Sequence, residues 1–289
     1  MIIALLKSMR PKQWAKNVFV FAALVFDRQL TNPGALLPTF IGFILFCLLS
    51  SAVYLINDVV DIEADKKHPK KRNRPIASGH LPKQIAIAVA VIIVIITLPV
   101  GYLLSPTFAL VAGIYFFLNL AYSQWLKHIP LIDVLVIAAG FVLRVVSGVC
   151  LIEIERFSPW LYVCTTLLAL FVGFGKRRAE LTLANQVGDN PRRVLDGYTI
   201  PLLDQLITIV SSTTIIAYSL YTFSAPNLPE NHVMMLTIPF VIYPIFRYLY
   251  LIQVEGKGGA PEDVLFSDRP FLVTILLWGI SILLIFYIF

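Results

Sequence analysis

Charged residues are scarce in this sequence. Only 14% of its 289 residues are Asp, Glu, Lys or Arg, whereas 58% are hydrophobic, and the mean hydropathy is +0.82. A soluble domain carries about a quarter charged residues, so many apolar side chains here must face lipid as well as each other. The scarcity of charge excludes an ordinary soluble domain, and the length suits one membrane domain over residues 1–289.

Reactive and cross-linking side chains are few. The three cysteines, Cys47, Cys150 and Cys164, all lie inside apolar runs, which is typical of small core hydrophobes rather than of disulfides or metal ligands. No small-residue cleavage site follows the charged N-terminus, so we expect no removable signal peptide. A Ser-His or Cys-His arrangement for nucleophilic catalysis is not evident either.

Apolar stretches of membrane-spanning length recur along the chain. The first is the weakest, because its apolar core from Val18 to Phe26 is short. The predicted spans are 15–31, 36–57, 83–104, 106–122, 131–152, 158–175, 200–223, 233–252 and 270–288. The expected fold class is therefore an all-α integral membrane protein of about nine transmembrane helices.

The loops between these spans differ sharply in positive charge. One alternating set holds most of the cations, including Lys7, Arg10, Lys12, Lys16, the run from Lys66 to Arg74, Lys127 and the run from Lys176 to Arg178. By the positive-inside rule this set is cytoplasmic. Nine spans then place the N-terminus inside and the C-terminus outside the inner (plasma) membrane.

An acidic cluster follows the second predicted span. If the helix continues through it, each residue turns by about 100°, so Asp58, Asp61 and Asp65 lie at about 100°, 40° and 80° from Asn57. Glu63 falls near about 240°, on the opposite side. Three carboxylates on one face repel one another unless a cation is present. The N-D-x-x-D-x-x-x-D spacing therefore predicts a metal site.

A basic run comes directly after the acidic cluster. It contains Arg72 and Arg74, and an arginine offers a bidentate fork to a phosphate group. Mg²⁺ in proteins is typically bound by one or two carboxylates together with substrate phosphates. Carboxylates beside arginines therefore favour a magnesium–diphosphate site.

Three segments resemble the UbiA superfamily of intramembrane prenyltransferases. They are N-D-V-V-D-I-E-A-D at 57–65, R-N-R-P-I-A-S-G at 72–79 and Y-S-Q-W-L-K at 122–127. The resemblance implies a bundle of nine helices around a central cavity. Typical members also have a second D-x-x-x-D after the sixth helix, and the corresponding predicted loop here, G-F-G-K-R-R-A-E-L at 173–181, lacks it.

Other segments are similar to the decaprenyl-phosphate phosphoribosyltransferase family. These are R-P-K-Q-W-A-K-N at 10–17, G-K-R-R-A-E-L at 175–181, Leu143-Arg144 with Ser147-Gly148, and Pro261-Glu262-Asp263 with Asp268-Arg269. This second resemblance implies phosphoribosyl diphosphate (PRPP) as the donor, a polyprenyl phosphate as the acceptor, and an arabinan precursor for the cell wall as the product. The expected partners are these two substrates and the membrane, with no nucleic acid.

The candidate site combines these expectations. The catalytic and metal-binding residues are Asn57, Asp58, Asp61 and Asp65, with Mg²⁺ as the cofactor. The substrate-binding residues are Arg10, Lys12, Lys16, Arg72, Arg74, Tyr122, Lys127, Arg144, Lys176, Arg177, Arg178 and Glu180. Arg144 lies deep in an apolar span, where an ionisable residue is a functional candidate by default, although a structural bond inside the bundle is an equal alternative.

Several alternatives stay open at this point. A UbiA enzyme that prenylates an aromatic or other acceptor would use the same acidic cluster, and a transporter or lipid-binding scaffold belongs to a different class. Asp263 and Asp268 in the loop before the last span are candidates for a second metal or ribose contact, with a plain connector as the alternative. Decaprenyl and undecaprenyl phosphate are equally compatible with the sequence, which does not encode the oligomeric state.

Overall fold

The protein is described by a computed structural model that covers residues 1–67, 71–153, 158–187, 193–226, 228–256, 264 and 267–288. Across these residues every regular element is a helix. The α-helices are α1 (Ile2–Met9), α2 (Ala22–Phe26), α3 (Pro33–Val60), α4 (Ile62–Lys67), α5 (Lys83–Leu104), α6 (Pro106–Gln124), α7 (Ile132–Val149), α8 (Pro159–Val187), α9 (Ile200–Ser224), α10 (Pro239–Gln253) and α11 (Arg269–Tyr287). Short 3-10 helices cover Pro11–Phe21, Lys71–Asn73, Leu126–His128, Arg193–Gly197 and Val233–Thr237.

The predicted membrane spans are confirmed for eight of the nine stretches. Within the described residues, eight helical segments are long and apolar enough to cross a membrane, and the span predicted at 83–104 coincides with α5. The all-α, multi-pass membrane fold class is therefore confirmed.

The first predicted span, 15–31, has a different structure. It is an 11-residue 3-10 helix, Pro11–Phe21, that continues into the 5-residue α2. A 3-10 helix rises about 2.0 Å per residue and an α-helix about 1.5 Å, so the two segments together extend about 30 Å, the thickness of the hydrocarbon core. The expectation that this stretch crosses the membrane stays a prediction.

The segment G-F-G-K-R-R-A-E-L at 173–181 is not the loop that the sequence predicted. It is the continuation of α8, which extends to Val187. Lys, Arg, Ala, Glu and Leu are strong helix formers, so the helix continues where the apolar run ends. The prediction failed because hydropathy locates the membrane segment rather than the helix end.

Four long helices begin in the same way, with a polar cap before an early proline. The side chains of Asn32, Ser105, Thr199 and Asp268 accept a hydrogen bond from a backbone N–H two or three residues further on, at 2.9 to 3.3 Å. A proline follows in the first turn of each helix, where its missing N–H has no partner to lose. These caps fix where α3, α6, α9 and α11 start.

The chain divides into two compact units. Unit 1 comprises Met1–Leu126 with Leu143–Ile154, and unit 2 comprises Lys127–Val142 with Glu155–Phe289. The expectations of one domain over residues 1–289 and of a central cavity stay predictions.

The centre of unit 1 is α3. In its most apolar stretch 61% of the residues are buried, against 22% in α5, so α5 leaves most of its surface to lipid. Phe46 of α3 packs against two rings of α6, with centroid distances of 5.9 Å to Phe108 and 5.0 Å to Tyr115. The helix that carries the acidic cluster is thus the best anchored helix of this unit.

The core of unit 2 forms where α8 packs against α9 and α10. The rings of Phe171 and Tyr248 lie 5.3 Å apart. Gly175 permits the approach of α10, because a Cβ atom there would lie 2.7 Å from the Tyr248 ring.

Gly148 provides a test of the packing in unit 1. A Cβ atom at this position would collide with the backbone carbonyl of buried Val20, which cannot turn away as a side chain could. Gly148→Ala should therefore destabilise the protein by about 1–3 kcal/mol, measured by thermal unfolding in detergent. Gly113→Ala is the matched control, because no atom lies within 4 Å of its added Cβ. Equal unfolding temperatures for the two variants would contradict the packing argument.

Candidate active site

The acidic cluster lies where α3 passes into α4. The helical hydrogen bonds continue across the junction, from Asp61 N–H to Asn57 O at 2.9 Å and from Asp65 N–H to Asp61 O at 2.8 Å. Asp58 and Asp65 are each only 2% exposed. The near-continuous helix therefore turns these two carboxylates inward.

Glu63 lies on the outer side of this junction. Its side chain is 80% exposed and accepts a hydrogen bond of 2.8 Å from Lys66, which lowers the pKa of Glu63. Glu63 is thus separated from the inward-facing carboxylates, as the helical angles predicted.

Two arginines neutralise the buried carboxylates. Nη1 of Arg74 lies 3.1 Å from Asp58 Oδ1 and 2.7 Å from Asp65 Oδ2, so both carboxylates share one guanidinium group. Nη2 of Arg10 also donates to Asp58 Oδ1. The two acids therefore converge on a place where positive charge is favourable.

Arg10 reaches the cluster because its segment is fixed to α3. The Ser51 hydroxyl donates to Met9 O at 3.0 Å and accepts from Trp14 Nε1 at 3.0 Å. Arg10 itself has a left-handed backbone, with φ 53°, and its guanidinium lies 4.7 Å from the centre of the Tyr54 ring. The R-P-K-Q-W segment thus places the Arg10 guanidinium next to Asp58, one of the predicted metal ligands.

Arg74 is held by a compact turn. Its carbonyl accepts from Ser78 N–H at 2.9 Å, and the Pro75 carbonyl accepts from Leu81 N–H at 2.9 Å. Gly79 has φ 81°, a left-handed conformation that glycine adopts without strain. The R-N-R-P-I-A-S-G segment is therefore a turn that fixes the backbone of Arg74 beside the acids.

Asn57 has a partner that sequence analysis missed. The buried hydroxyl of Ser123, on α6, donates to Asn57 Oδ1. Ser123 lies next to Tyr122 in the Y-S-Q-W-L-K segment, and that adjacency was the available signal. Trp14, Ser51 and Tyr54 were missed as well, because uncharged residues in apolar surroundings give no charge signal.

A magnesium ion fits this donor set. No three His, Cys, Asp or Glu side chains in the described part of the chain are grouped closely enough to form a metal site by themselves. Mg²⁺, however, typically takes one or two carboxylates and completes its shell with water and substrate phosphates. Asp58 and Asp65 both bind the guanidinium of Arg74, and Asn57, the neighbour of Asp58 in the sequence, carries a neutral oxygen.

Arg144 joins three elements inside unit 1. Its Nε donates to Asn17 Oδ1 and its Nη2 to the Tyr115 hydroxyl, each at 2.8 Å. The guanidinium also lies 4.8 Å from the centre of the Tyr115 ring, and Asn17 in turn donates to Ser50 at 3.2 Å. These contacts match the structural alternative for Arg144, and its expected contact with a substrate phosphate stays a prediction.

The cations on α8 are bonded inside unit 2. Arg177 is 1% exposed, and it donates to Asp133 Oδ2 at 2.6 Å and to Glu180 Oε2 at 2.7 Å. Arg178 donates to Asp204 Oδ1 at 2.5 Å. The expectation that Arg177, Arg178 and Glu180 bind substrate stays a prediction, and the structure shows each of them in an internal ion pair.

Tyr198 completes the buried group around Asp133. Its hydroxyl donates to Asp133 Oδ1 and accepts from Leu131 N–H, both at 2.6 Å. Burial, and next the hydrogen bond to the carboxylate, raise the pKa of Tyr198 well above its usual range. This group fixes the start of α7 to the segment before α9.

The remaining predicted substrate-binding residues are less buried. Lys12 and Arg72 are exposed, whereas Lys16, Tyr122, Lys127 and Lys176 are half-buried. Asp263 lies outside the described residues. Asp268 accepts a hydrogen bond from Arg247 Nη2 at 2.6 Å and caps the N-terminus of α11. Its carboxylate therefore has a structural role.

Known proteins resemble this chain over most of its length. The profile of the UbiA prenyltransferase family matches residues 17–255. The chain is 36% identical to the decaprenyl-phosphate phosphoribosyltransferase of Corynebacterium glutamicum, over 98% of this chain and 87% of that protein. It is 35% identical to the enzyme of the same name from Mycobacterium tuberculosis, over 96% and 92%.

A solved structure with a similar fold is that of a UbiA homologue from Archaeoglobus fulgidus bound to DMAPP and Mg²⁺. The TM-score is 0.74 over 99% of both chains, at 17% sequence identity. The likeness at this identity confirms the fold.

Substitution of Arg144 tests its structural role. Arg144→Leu removes the donors to Asn17 and Tyr115 and leaves buried polar groups unsatisfied, which costs about 1–3 kcal/mol. We expect a lower unfolding temperature in detergent together with reduced activity. Unchanged stability with lost activity would instead indicate a direct role in substrate binding, and intact activity would exclude that direct role.

Tyr198 gives a pH-dependent test. Its raised pKa in the folded protein stabilises the fold below about pH 10, and this contribution is lost as the pH rises further, because the unfolded tyrosine then ionises. Tyr198→Phe should lower the unfolding temperature at neutral pH, and its difference from the wild type should shrink towards about pH 11. Tyr102→Phe, at an exposed position, is the control. A difference that stays constant with pH would contradict the assignment.

Proposed function

The chain belongs to the UbiA prenyltransferase family, and from that premise we propose that it transfers 5-phosphoribose from PRPP to a polyprenyl phosphate. Diphosphate is released, and the reaction requires Mg²⁺. The observation that carries the proposal is the double contact at Asp58. One arginine there comes from the R-N-R-P turn of the superfamily, and the other, Arg10, from the segment that resembles phosphoribosyltransferases.

The expected metal ligands are Asn57, Asp58, Asp61 and Asp65. A magnesium ion bound there supplies positive charge that stabilises the departing diphosphate. Arg10 and Arg74 add guanidinium donors, which bind phosphate oxygens through charge-assisted hydrogen bonds. The chain thus supplies two arginines at the place where the leaving group gains negative charge.

The bond changes need no strong base. The bond between C1 of the ribose and the diphosphate oxygen breaks, and its electron pair leaves with the diphosphate. An oxygen of the polyprenyl phosphate forms the new bond to C1, and this oxygen is already anionic at neutral pH. The lack of an evident Ser-His or Cys-His pair is compatible with this chemistry. Attack from the side opposite the leaving group would invert C1, which the anomer of the product would reveal.

The substrates explain the remaining positive charge. The donor carries a diphosphate and a 5-phosphate, and the acceptor carries a third phosphate-bearing group. We assign Lys12, Lys16 and Arg72, in the same unit as the acidic cluster, to these phosphates. Exposed and half-buried cations of this kind draw anions towards the site from solution.

The proposed orientation follows from the donor. PRPP is soluble and highly charged, so its site opens to the cytoplasm, the side that the positive loops also predict. The first segment, Pro11–Phe26, and the eight apolar helices of the described chain then place the C-terminus on the other side of the plasma membrane.

Transfer of a prenyl group to an aromatic or other acceptor is the second candidate. The fold likeness to the Archaeoglobus fulgidus homologue bound to DMAPP and Mg²⁺ favours it. A prenyl diphosphate would place the same diphosphate at the same carboxylates, so the two candidates differ in the transferred group and not in the leaving group.

The deciding experiment uses purified protein in detergent with PRPP labelled in the ribose, Mg²⁺, and either decaprenyl or undecaprenyl phosphate. We expect lipid-soluble label that EDTA abolishes and that Asp61→Ala lowers by at least about a hundredfold. Glu63→Ala is the matched control, because this exposed carboxylate lies two residues away and faces outward. Its activity should stay near that of the wild type.

The opposite outcome is equally informative. If no label enters the lipid while the Corynebacterium glutamicum enzyme works in parallel, the phosphoribosyl assignment is wrong. The same protein would then be assayed with prenyl diphosphates and aromatic acceptors. Equal loss of activity in Asp61→Ala and Glu63→Ala would contradict the assigned metal face.

A further inference from the structure

The carboxylates that fit a metal are already neutralised in the protein itself. Asp58 Oδ1 is contacted by both Arg10 and Arg74, and Asp65 Oδ2 is contacted by Arg74 at 2.7 Å. One oxygen of each carboxylate, Asp58 Oδ1 and Asp65 Oδ2, is therefore occupied by guanidinium groups. A divalent ion that takes these two oxygens must break the ion pairs.

Breaking the ion pairs without a replacement is unfavourable. Removing one partner from a buried pair leaves an uncompensated charge, and the displaced guanidinium would also lie beside an incoming divalent cation of the same sign. A diphosphate reduces both the uncompensated charge and the repulsion between the two cations. Its anionic oxygens bind the metal and accept hydrogen bonds from arginine. The ion and the diphosphate should therefore assist each other.

We propose that Arg10 and Arg74 act as internal counter-ions that occupy the metal-binding carboxylates and move onto the diphosphate when metal and diphosphate arrive together. The metal–diphosphate complex is then the species that the enzyme recognises, and free metal binds weakly. The inference rests on the metal–diphosphate part of the proposed function and is independent of the group that is transferred.

The two arginines are built for such an exchange. Their backbones are fixed, Arg74 by its turn and Arg10 through Ser51 and Met9. Their side chains are 26% and 27% exposed, whereas those of Asp58 and Asp65 are only 2% and 3% exposed. The acids thus lie beneath guanidinium groups that have access to solvent and can turn towards a phosphate.

Tyr54 offers Arg10 a second contact during this movement. The guanidinium lies 4.7 Å from the ring centre, a distance at which the ring attracts a cation. Because this contact does not depend on Asp58, it can keep Arg10 near the site after the carboxylate is released. Arg74 is the stronger counter-ion, since it contacts both acids.

The test measures metal binding directly and needs no catalysis. Mn²⁺ is titrated into the purified wild-type protein with and without inorganic diphosphate, and bound ion is followed by EPR, with a parallel titration without protein to correct for Mn²⁺–diphosphate in solution. The wild type should bind Mn²⁺ at least about tenfold more tightly when diphosphate is present. Arg74→Gln should bind Mn²⁺ at least about tenfold more tightly than the wild type without diphosphate, and should lose most of the coupling.

Lys66→Gln is the matched control. It removes the same charge from the same region, but its partner is the exposed Glu63, so its Mn²⁺ affinity should stay within about twofold of the wild type. Arg10→Gln should give a smaller increase than Arg74→Gln, because Arg10 contacts one of the two acids, Asp58, whereas Arg74 contacts both. Size-exclusion chromatography establishes that each variant is folded, and if Arg74→Gln fails to fold, Arg10→Gln and the wild-type coupling decide.

Two results would overturn the inference. One is wild-type protein that binds Mn²⁺ equally well with and without diphosphate. The other is folded Arg74→Gln protein whose affinity for Mn²⁺ is unchanged or lower, which would make Arg74 a support for the metal and not its competitor. Normal coupling without label transfer from PRPP would refute only the phosphoribosyl assignment, whereas no Mn²⁺ binding under any condition would refute the metal site itself.

Discussion

Two carboxylates buried at the end of a membrane helix set the main constraint on unit 1. Asp58 and Asp65 lose nearly all contact with water, and a buried charge is tolerated only with a close counter-charge and good hydrogen bonds. The turn after α4 supplies Arg74 and the N-terminal segment supplies Arg10. Both segments deliver a guanidinium to one place, Arg74 from a compact turn and Arg10 from a residue with a left-handed backbone.

The buried ion pair of unit 2 meets the same constraint in a different way. The side chains of Arg177 and Asp133 are 2% and 0% exposed, and Tyr198 and Glu180 satisfy further polar atoms around them. Arg177 and Asp133 lack the solvent access that Arg10 and Arg74 have. The Arg177–Asp133 pair is thus suited to hold helices together. The arginines of unit 1 instead cover carboxylates to which an incoming metal–diphosphate complex can bind.

The sequence was informative wherever one physical requirement dominated. Lipid demands long apolar runs, so α5 was predicted to the residue, and the helical turn alone separated exposed Glu63 from buried Asp58 and Asp65. The end of α8 was missed, because good helix formers after Gly175 continue the helix without being apolar. The partners of the acids could not be predicted, since Arg10 and Asp58 lie 48 positions apart and a sequence does not show which cation folds back onto which carboxylate. The bond between Arg177 and Asp133, which lie 44 positions apart, could not be predicted for the same reason.

The 3-10 helix Pro11–Phe21 follows a period of three. Residues three apart are eclipsed in such a helix, and Trp14, Asn17 and Val20 accordingly form one straight ridge that meets the serines of α3 and Gly148 of α7. An inserted or deleted residue would turn the rest of the segment by about a third of a turn and take this ridge out of register. The length of the segment thus fixes the register at which Trp14, Asn17 and Val20 meet their partners.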